Sequence, residues 1–190
     1  MSPEQLKSLL TDLAEGRSSV DDTLKRLERF PMDALSQDGG IVARLDTHRG
    51  LRHGFPEVIL AQGKQYQHLE GIVERVLGHE TNLLITRISR KRLARLMERF
   101  PVLEHAKGTS CLYRQTDKRS EEGLVGVFCA GTSDIGVAEE AALVARLMGA
   151  RVETYYDAGV AGLHRLLSAG DLLRTARVFV VVAGMEGAMP

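Results

Sequence analysis

From Leu124 onward the sequence alternates short apolar runs with longer mixed ones, and this alternation constrains the fold more than any other feature. Residues 124–129, 151–156 and 177–182 read as strands, and residues 135–148 and 161–169 as the helices between them. Strands separated by helices pair in parallel through right-handed crossovers. The expected fold class is α/β, with a three-layer αβα parallel sheet. Three strands and two crossovers make half of a doubly wound sheet, and Val178, Val180, Val181 and Val182 leave the last strand apolar on both faces. The expectation is therefore an incomplete domain in a chain truncated at its carboxyl end, the alternative being a complete protein whose edge strand is covered by its N-terminal part or by a partner subunit.

Before this stretch the grammar differs. A proline-started helix carries Leu6, Leu9, Leu10 and Leu13 on one face and ends at Gly16. A second, over 19–30, carries Val20, Leu24 and Leu27 and stops at Pro31. Strands are predicted over 41–45, 55–60, 82–85 and 109–113. Helices are predicted over 65–77, with Leu69, Ile72, Val73 and Val76 inward, and over 89–99, with Ser89 as cap and Pro101 as breaker. The polar run 114–123 reads as an exposed connection. It divides a helical hairpin plus small α/β domain, residues 1–115, from the parallel-sheet domain, residues 122–190.

Composition narrows the classes of function. Lys plus Arg and Asp plus Glu balance at 25 each, so no global field draws the protein to nucleic acid or to an anionic membrane. No apolar stretch approaches the roughly 20 residues of a membrane span. Two cysteines without a secretory leader point to the reducing cytoplasm.

In an open parallel sheet the ligand lies at the carboxyl ends of the strands. Three loops rich in small residues fall there: 130–134, 157–164 and 183–190. Gly131, Thr132, Ser133 and Asp134 open a helix, where backbone amides and hydroxyls suit an anion. The same Ser133 and Asp134 also read as ordinary N-cap residues. Gly126, Gly131 and Gly136 do not have the spacing of a dinucleotide fingerprint, and no P-loop occurs. The second loop brings Asp157 and His164 to one strand end, and the third holds Gly184, Met185 and Glu186. Glu186 reads as an exposed loop acid, or as a proton-transfer or metal-binding group if the loops converge. Cys129 at its strand end reads as a buried, inert thiol, with activation by the helix start as the alternative. Cys111 reads as structural, and no cysteine or histidine spacing marks a metal site. Two histidines and two arginines cluster at His48, Arg49, Arg52 and His53. The basic helix with Arg90, Lys91, Arg92 and Arg95, preceded by Arg87, reads as a solvated face over Ile88, Leu93 and Leu96, because aromatic interleaving for nucleic acid is missing.

Cys-Ala-Gly-Thr-Ser-Asp at 129–134, Val-Ala-Glu-Glu-Ala-Ala at 137–142, Asp-Ala-Gly-Val-Ala-Gly-Leu-His-Arg-Leu-Leu at 157–167 and Val-Ala-Gly-Met-Glu-Gly-Ala-Met-Pro at 182–190 resemble the LarB family. That family serves nickel-pincer cofactor synthesis and is related to aminoimidazole ribonucleotide carboxylases. Gly-Phe-Pro-Glu-Val-Ile at 54–59 with Gly63 and Lys64 resembles its N-terminal domain. The resemblance implies carboxylation of the pyridinium ring of nicotinate adenine dinucleotide by CO2 or bicarbonate. It also implies phosphoanhydride hydrolysis to pyridinium biscarboxylate mononucleotide and AMP, the first step towards the lactate racemase cofactor.

An electron-poor pyridinium does not attack CO2, and in the family a cysteine thiolate first adds to the ring. By the same resemblance Ser133 and Asp134 hold substrate, Asp134 and Glu186 are the catalytic candidates, with Glu186 handling a proton or positioning a cation, Asp157 and His164 match the second loop, and Mg2+ would assist the phosphoanhydride step. A symmetric homo-oligomer is implied as well. The family's nucleophilic cysteine is expected after residue 190, so Cys129 does not inherit that role and the chain alone is expected to be inactive. Competing readings are a nucleotide-binding or regulatory module without catalysis, and a carboxylase or mutase of purine precursors.

Overall fold

A computed structural model describes residues 3–27, 32–37, 39–47, 49–50, 57–79, 81–116, 121–184 and 189. The chain divides into two compact units, residues 1–104 with 112–117, and residues 105–111 with 118–190.

In the first unit, helices α1 (Pro3–Ala14) and α2 (Val20–Leu27) form the expected hairpin. Ser19 starts α2 with a reciprocal cap: its hydroxyl accepts from the Asp22 amide at 3.0 Å and donates to the Asp22 carboxylate at 2.7 Å. The inward face differs from the expectation. Val20 and Leu24 are exposed, whereas Thr23 is buried with its hydroxyl donating to the Ser19 carbonyl. A satisfied threonine can take the inner position because its one polar atom bonds within the helix turn.

Strands β1 (Met32–Gln37) and β2 (Gly40–Asp46) follow as an antiparallel hairpin. Only β2 is expected from the sequence, because Asp33, Ser36 and Gln37 break the apolar alternation of β1. A second sheet has the order β3 (Val58–Leu60), β4 (Leu83–Thr86), β6 (Leu112–Arg114), β5 (Glu104–His105). Its β3–β4 pair is parallel and is bridged by α3 (Tyr66–Leu77), while α4 (Arg90–Arg99) follows β4.

Leu69, Ile72 and Val73 of α3 and Leu96 of α4 meet Ile59, Leu83, Ile85 and Leu112 in one core, with Val76 and Leu93 packed against it. Ser89 precedes α4 but makes no side-chain cap. The strand expected over 109–113 begins later, at Leu112. Residues 106–110 form a turn, with the Thr109 hydroxyl donating to the Ala106 carbonyl and accepting from the Cys111 amide. The boundary residues Phe55, Pro56 and Pro31 lie outside the described residues.

The second unit is the α/β sheet. β7 (Leu124–Cys129) is central, paired in parallel with β8 (Arg151–Tyr155) on one side and β9 (Val178–Val182) on the other. Every side chain of β7 alternates between two layers. Val127 and Cys129 pack against Ala138 and Ala142 of α5 (Ile135–Leu147), and Leu124 and Phe128 pack against Ala169 and Leu172. The central strand β7 is thus covered on both faces, as a parallel sheet requires, while Val178 and Phe179 of the edge strand β9 stay exposed.

The second covering layer departs from the single helix expected over 161–169. It is a 3-10 turn (Val160–Gly162), a short α6 (Leu163–Leu167) and α7 (Gly170–Thr175). Gly170 restarts the helix after Ala169 turns inward to the core. Gly126 of β7 makes room for the aromatic layer: a Cβ there would sit 3.0 Å from Phe128 and 3.2 Å from Phe179. These two rings meet at 5.9 Å between centroids.

Candidate functional site

The strand order β8–β7–β9 sends the first crossover one way and the second the other, so the chain direction reverses beside β7. Such a switch point opens a crevice at the strand carboxyl ends. Backbone bonds knit these ends together. The Ala130 amide donates to Val182, the Ala158 amide to Cys129 and the Gly159 amide to Ala130, each at 2.9–3.0 Å. Gly159 must be small here, since a Cβ would lie 3.0 Å from the Ala130 carbonyl oxygen.

Above these ends lies a cleft of about 330 Å³. Ala130, Gly131, Ser133 and Asp134 line it from the loop after β7; Gly159, Val160 and Ala161 from the loop after β8; Ala183, Gly184 and Met189 from the segment after β9. That volume falls at the lower end of ordinary small-molecule sites. The lining is mostly backbone and small side chains, so a ligand would meet peptide groups directly. A 3-10 turn (Thr132–Asp134) runs straight into α5, which places the positive end of a 13-residue helix at the cleft.

Asp134 does not cap α5 with its side chain, contrary to the expectation. Its carboxylate instead accepts from the Gly131 amide at 3.0 Å, while the Asp134 amide donates to the Gly131 carbonyl at 3.0 Å. The two residues close a ring that fixes the loop. Asp134 is also the only charged residue among the described residues of the lining. A full negative charge there offsets the roughly half charge of the helix end. The cleft therefore favours a ligand group that is cationic or donates hydrogen bonds next to Asp134, and leaves any phosphate to backbone amides.

Of the residues singled out in the sequence, Gly131, Ser133, Asp134 and Gly184 converge on the cleft. Thr132, Asp157 and His164 are exposed and stand outside its lining. Asp157 holds a left-handed backbone, φ 56°, and its carboxylate takes a 2.5 Å bond from Arg165. Met185 and Glu186 lie outside the described residues. The apolar contributors Val160 and Met189 have no chemical signature in sequence; only their place in strand-end loops marks them.

Cys129 is fully buried, its thiol directed at the Gly131 carbonyl at 3.5 Å. Burial pushes the thiol up from its ordinary value; a backbone bond at Asp157 opposes this, and the charges of Asp134 and Asp157 add to it. It stays a neutral thiol and does not line the cleft. Cys111 is equally buried, with its thiol 3.4 Å from the Glu140 carboxylate. Among the described residues, no three of His, Cys, Asp or Glu are grouped to hold a metal ion. Among the described residues of the lining the carboxylate is Asp134 alone, and it already accepts from the Gly131 amide. Among all the described residues, no helix is long and apolar enough to cross a membrane.

The second unit is thus an α/β open-sheet module with a ligand cleft at its switch point. Comparison with known proteins sharpens this. Residues 36–116 match the LarB/PurE-like N-terminal domain. The chain is also 29% identical over 198 residues to the uncharacterized protein MJ0165 of Methanocaldococcus jannaschii, a match that spans 98% of this chain and 75% of that protein. The first match makes residues 36–116 similar to the N-terminal domain of LarB- and PurE-type proteins.

Proposed function

We propose that this chain carries the substrate cleft of a LarB-type enzyme that carboxylates the pyridinium ring of nicotinate adenine dinucleotide and hydrolyses its phosphoanhydride. The observation that carries this reading is the charge pattern of the cleft: among the described residues, Asp134 is the one carboxylate in a lining of small residues at the start of α5. A pyridinium is a flat cation that would sit favourably beside Asp134, with its ribose hydroxyls donating to the same carboxylate. The phosphate would face the amides of the helix start. The match over 36–116 supports the same family from the other unit.

Carboxylation requires a nucleophile that makes the ring electron-rich before it meets CO2 or bicarbonate. Cys111 and Cys129, the two cysteines of residues 1–190, are both buried. Neither of them is given the nucleophile's role, and this chain is given binding and orientation. Cytoplasmic location and a homo-oligomer belong to the same proposal.

The test is to express the longest open frame and supply nicotinate adenine dinucleotide with labelled bicarbonate. Label in a mononucleotide together with released AMP is the expected result, lost when the downstream cysteine is changed to Ala. AMP release or label incorporation that persists in that variant, or saturable substrate binding that is indifferent to Asp134→Ala, would overturn the assignment.

A further inference from the structure

The first unit has strand carboxyl ends of its own. β3 and β4 are parallel neighbours, and the Ala61 amide donates to the Thr86 carbonyl at 3.0 Å, so the loops that leave the two strands start side by side. Five cations gather on these loops and on the first turn of α4: Lys64, Arg87, Arg90, Lys91 and Arg92. The Arg92 guanidinium donates to the Ala61 carbonyl at 3.3 Å, and Arg87 reaches the Gln62 side chain at 3.5 Å. Among the described residues none of the five is paired with a carboxylate.

This placement runs against local electrostatics. Arg90, Lys91 and Arg92 occupy the first three positions of α4, the positive end of the helix, where acidic residues are the stabilising choice. Neither α3 nor α4 has an acidic residue in its first turn. A solvated face would not need its cations concentrated there. At the opposite end of α4 the pattern reverses, since Arg99 lies 3.7–3.9 Å from Glu74 and Glu70. Three successive cations at a helix start, beside two strand ends that carry two more, are the mark of a site whose ligand supplies the missing negative charge.

The shape of the patch selects the ligand. Arg95 lies over the Tyr66 ring at 3.8 Å, so that aromatic face is already covered and offers no base-stacking platform. The cations cover two loops and one helix turn rather than a stripe along a face, which suits a compact ion better than a polymer. We propose that the carboxyl-end loops of β3 and β4 bind a compact polyanion with adjacent phosphate groups, a diphosphate being its simplest form. This goes beyond the cleft of the second unit and does not depend on it.

Titration calorimetry of the full chain with inorganic diphosphate tests it, with Arg90→Gln/Lys91→Gln and the control Arg99→Gln. Saturable binding is expected in low salt, weakened at least tenfold in the double variant and unchanged in the control. Melting curves without ligand give a second readout. The double variant should melt no lower than the parent, because it removes two charges that oppose the helix dipole. Three results would overturn the proposal: no saturable heat at millimolar diphosphate, equal affinity in the double variant, or a lower melting point that makes these cations structural. Single-stranded RNA binding more tightly than diphosphate through the same residues would replace it with a polymer surface.

Discussion

Asp33 offers the sharpest test of how the first unit is held together. It is 3% exposed on β1, yet it is a carboxylate. Arg75 of α3 donates to it twice, through Nε at 2.6 Å and Nη2 at 2.8 Å, and the His79 Nε2–H donates to the same Oδ2 at 2.8 Å. Burial raises the cost of its charge, but the bonds from Arg75 and His79 outweigh this and hold the carboxyl below its ordinary range. The bond to Asp33 likewise raises Arg75.

Breaking one partner of a fully buried pair costs roughly 3–5 kcal/mol. Arg75 and His79 are 33% and 21% exposed and can turn to water, so Asp33→Asn should cost less, about 2 kcal/mol. For a unit of this size that is a fall in melting temperature on the order of 8 °C.

The sign of the pH dependence follows from the lowered carboxyl. Its stabilisation is fully present above the unfolded-state value and is lost as pH falls through the lower folded-state value. Melting curves of parent and Asp33→Asn should therefore differ by a constant gap above about pH 5 and converge only in acid below about pH 4. A gap under about 0.5 kcal/mol at neutral pH, the usual size of a surface substitution, would refute this reasoning. So would a gap that does not close in acid.

Three further outcomes are expected. Asp134→Ala removes the acceptor of the Gly131 amide and should weaken substrate binding at least tenfold, about 1.4 kcal/mol, with a smaller loss of stability, read by titration calorimetry and melting. Gly126→Ala puts a methyl 3.0 Å from Phe128 and should destabilise the second unit by about 1–3 kcal/mol in urea unfolding; a neutral result would mean that the aromatic layer yields freely. Cys129 should resist a thiol reagent at pH 8 in the folded protein and react fully in denaturant, and Cys129→Ala should leave activity of the intact enzyme in place.

Much of this protein is legible in its sequence, and the reason is periodicity. β7 needs no tertiary information: six residues between Gly123 and Ala130, apolar on both faces and opening an alternation of strands and helices, read as a buried parallel strand. The α3 face of Leu69, Ile72, Val73 and Val76 is equally self-evident. The strand-end loops around Gly131 and Gly184 also follow from chain order, because a parallel sheet places every carboxyl-end loop on one edge.

Elsewhere the sequence is silent or misleading, wherever a long-range partner makes the choice. β1 is a strand because β2 pairs with it and because Arg75 and His79, more than forty residues away, neutralise the buried Asp33. The Val20 and Leu24 face points outward because the hairpin buries Thr23 instead.

At the cleft, order along the chain marks the loops but not their members. Ser133 lines the cleft while its neighbour Thr132 does not, and Asp157 turns to Arg165 rather than to the ligand side. Asp134 turns back to the Gly131 amide rather than capping α5. Local periodicity determines which segments are helix or strand, since burying one face is a property of the segment itself. Which side chains share a cavity, and which charge is met by which partner, depends on distances between segments far apart in the chain, and only the folded structure decides them.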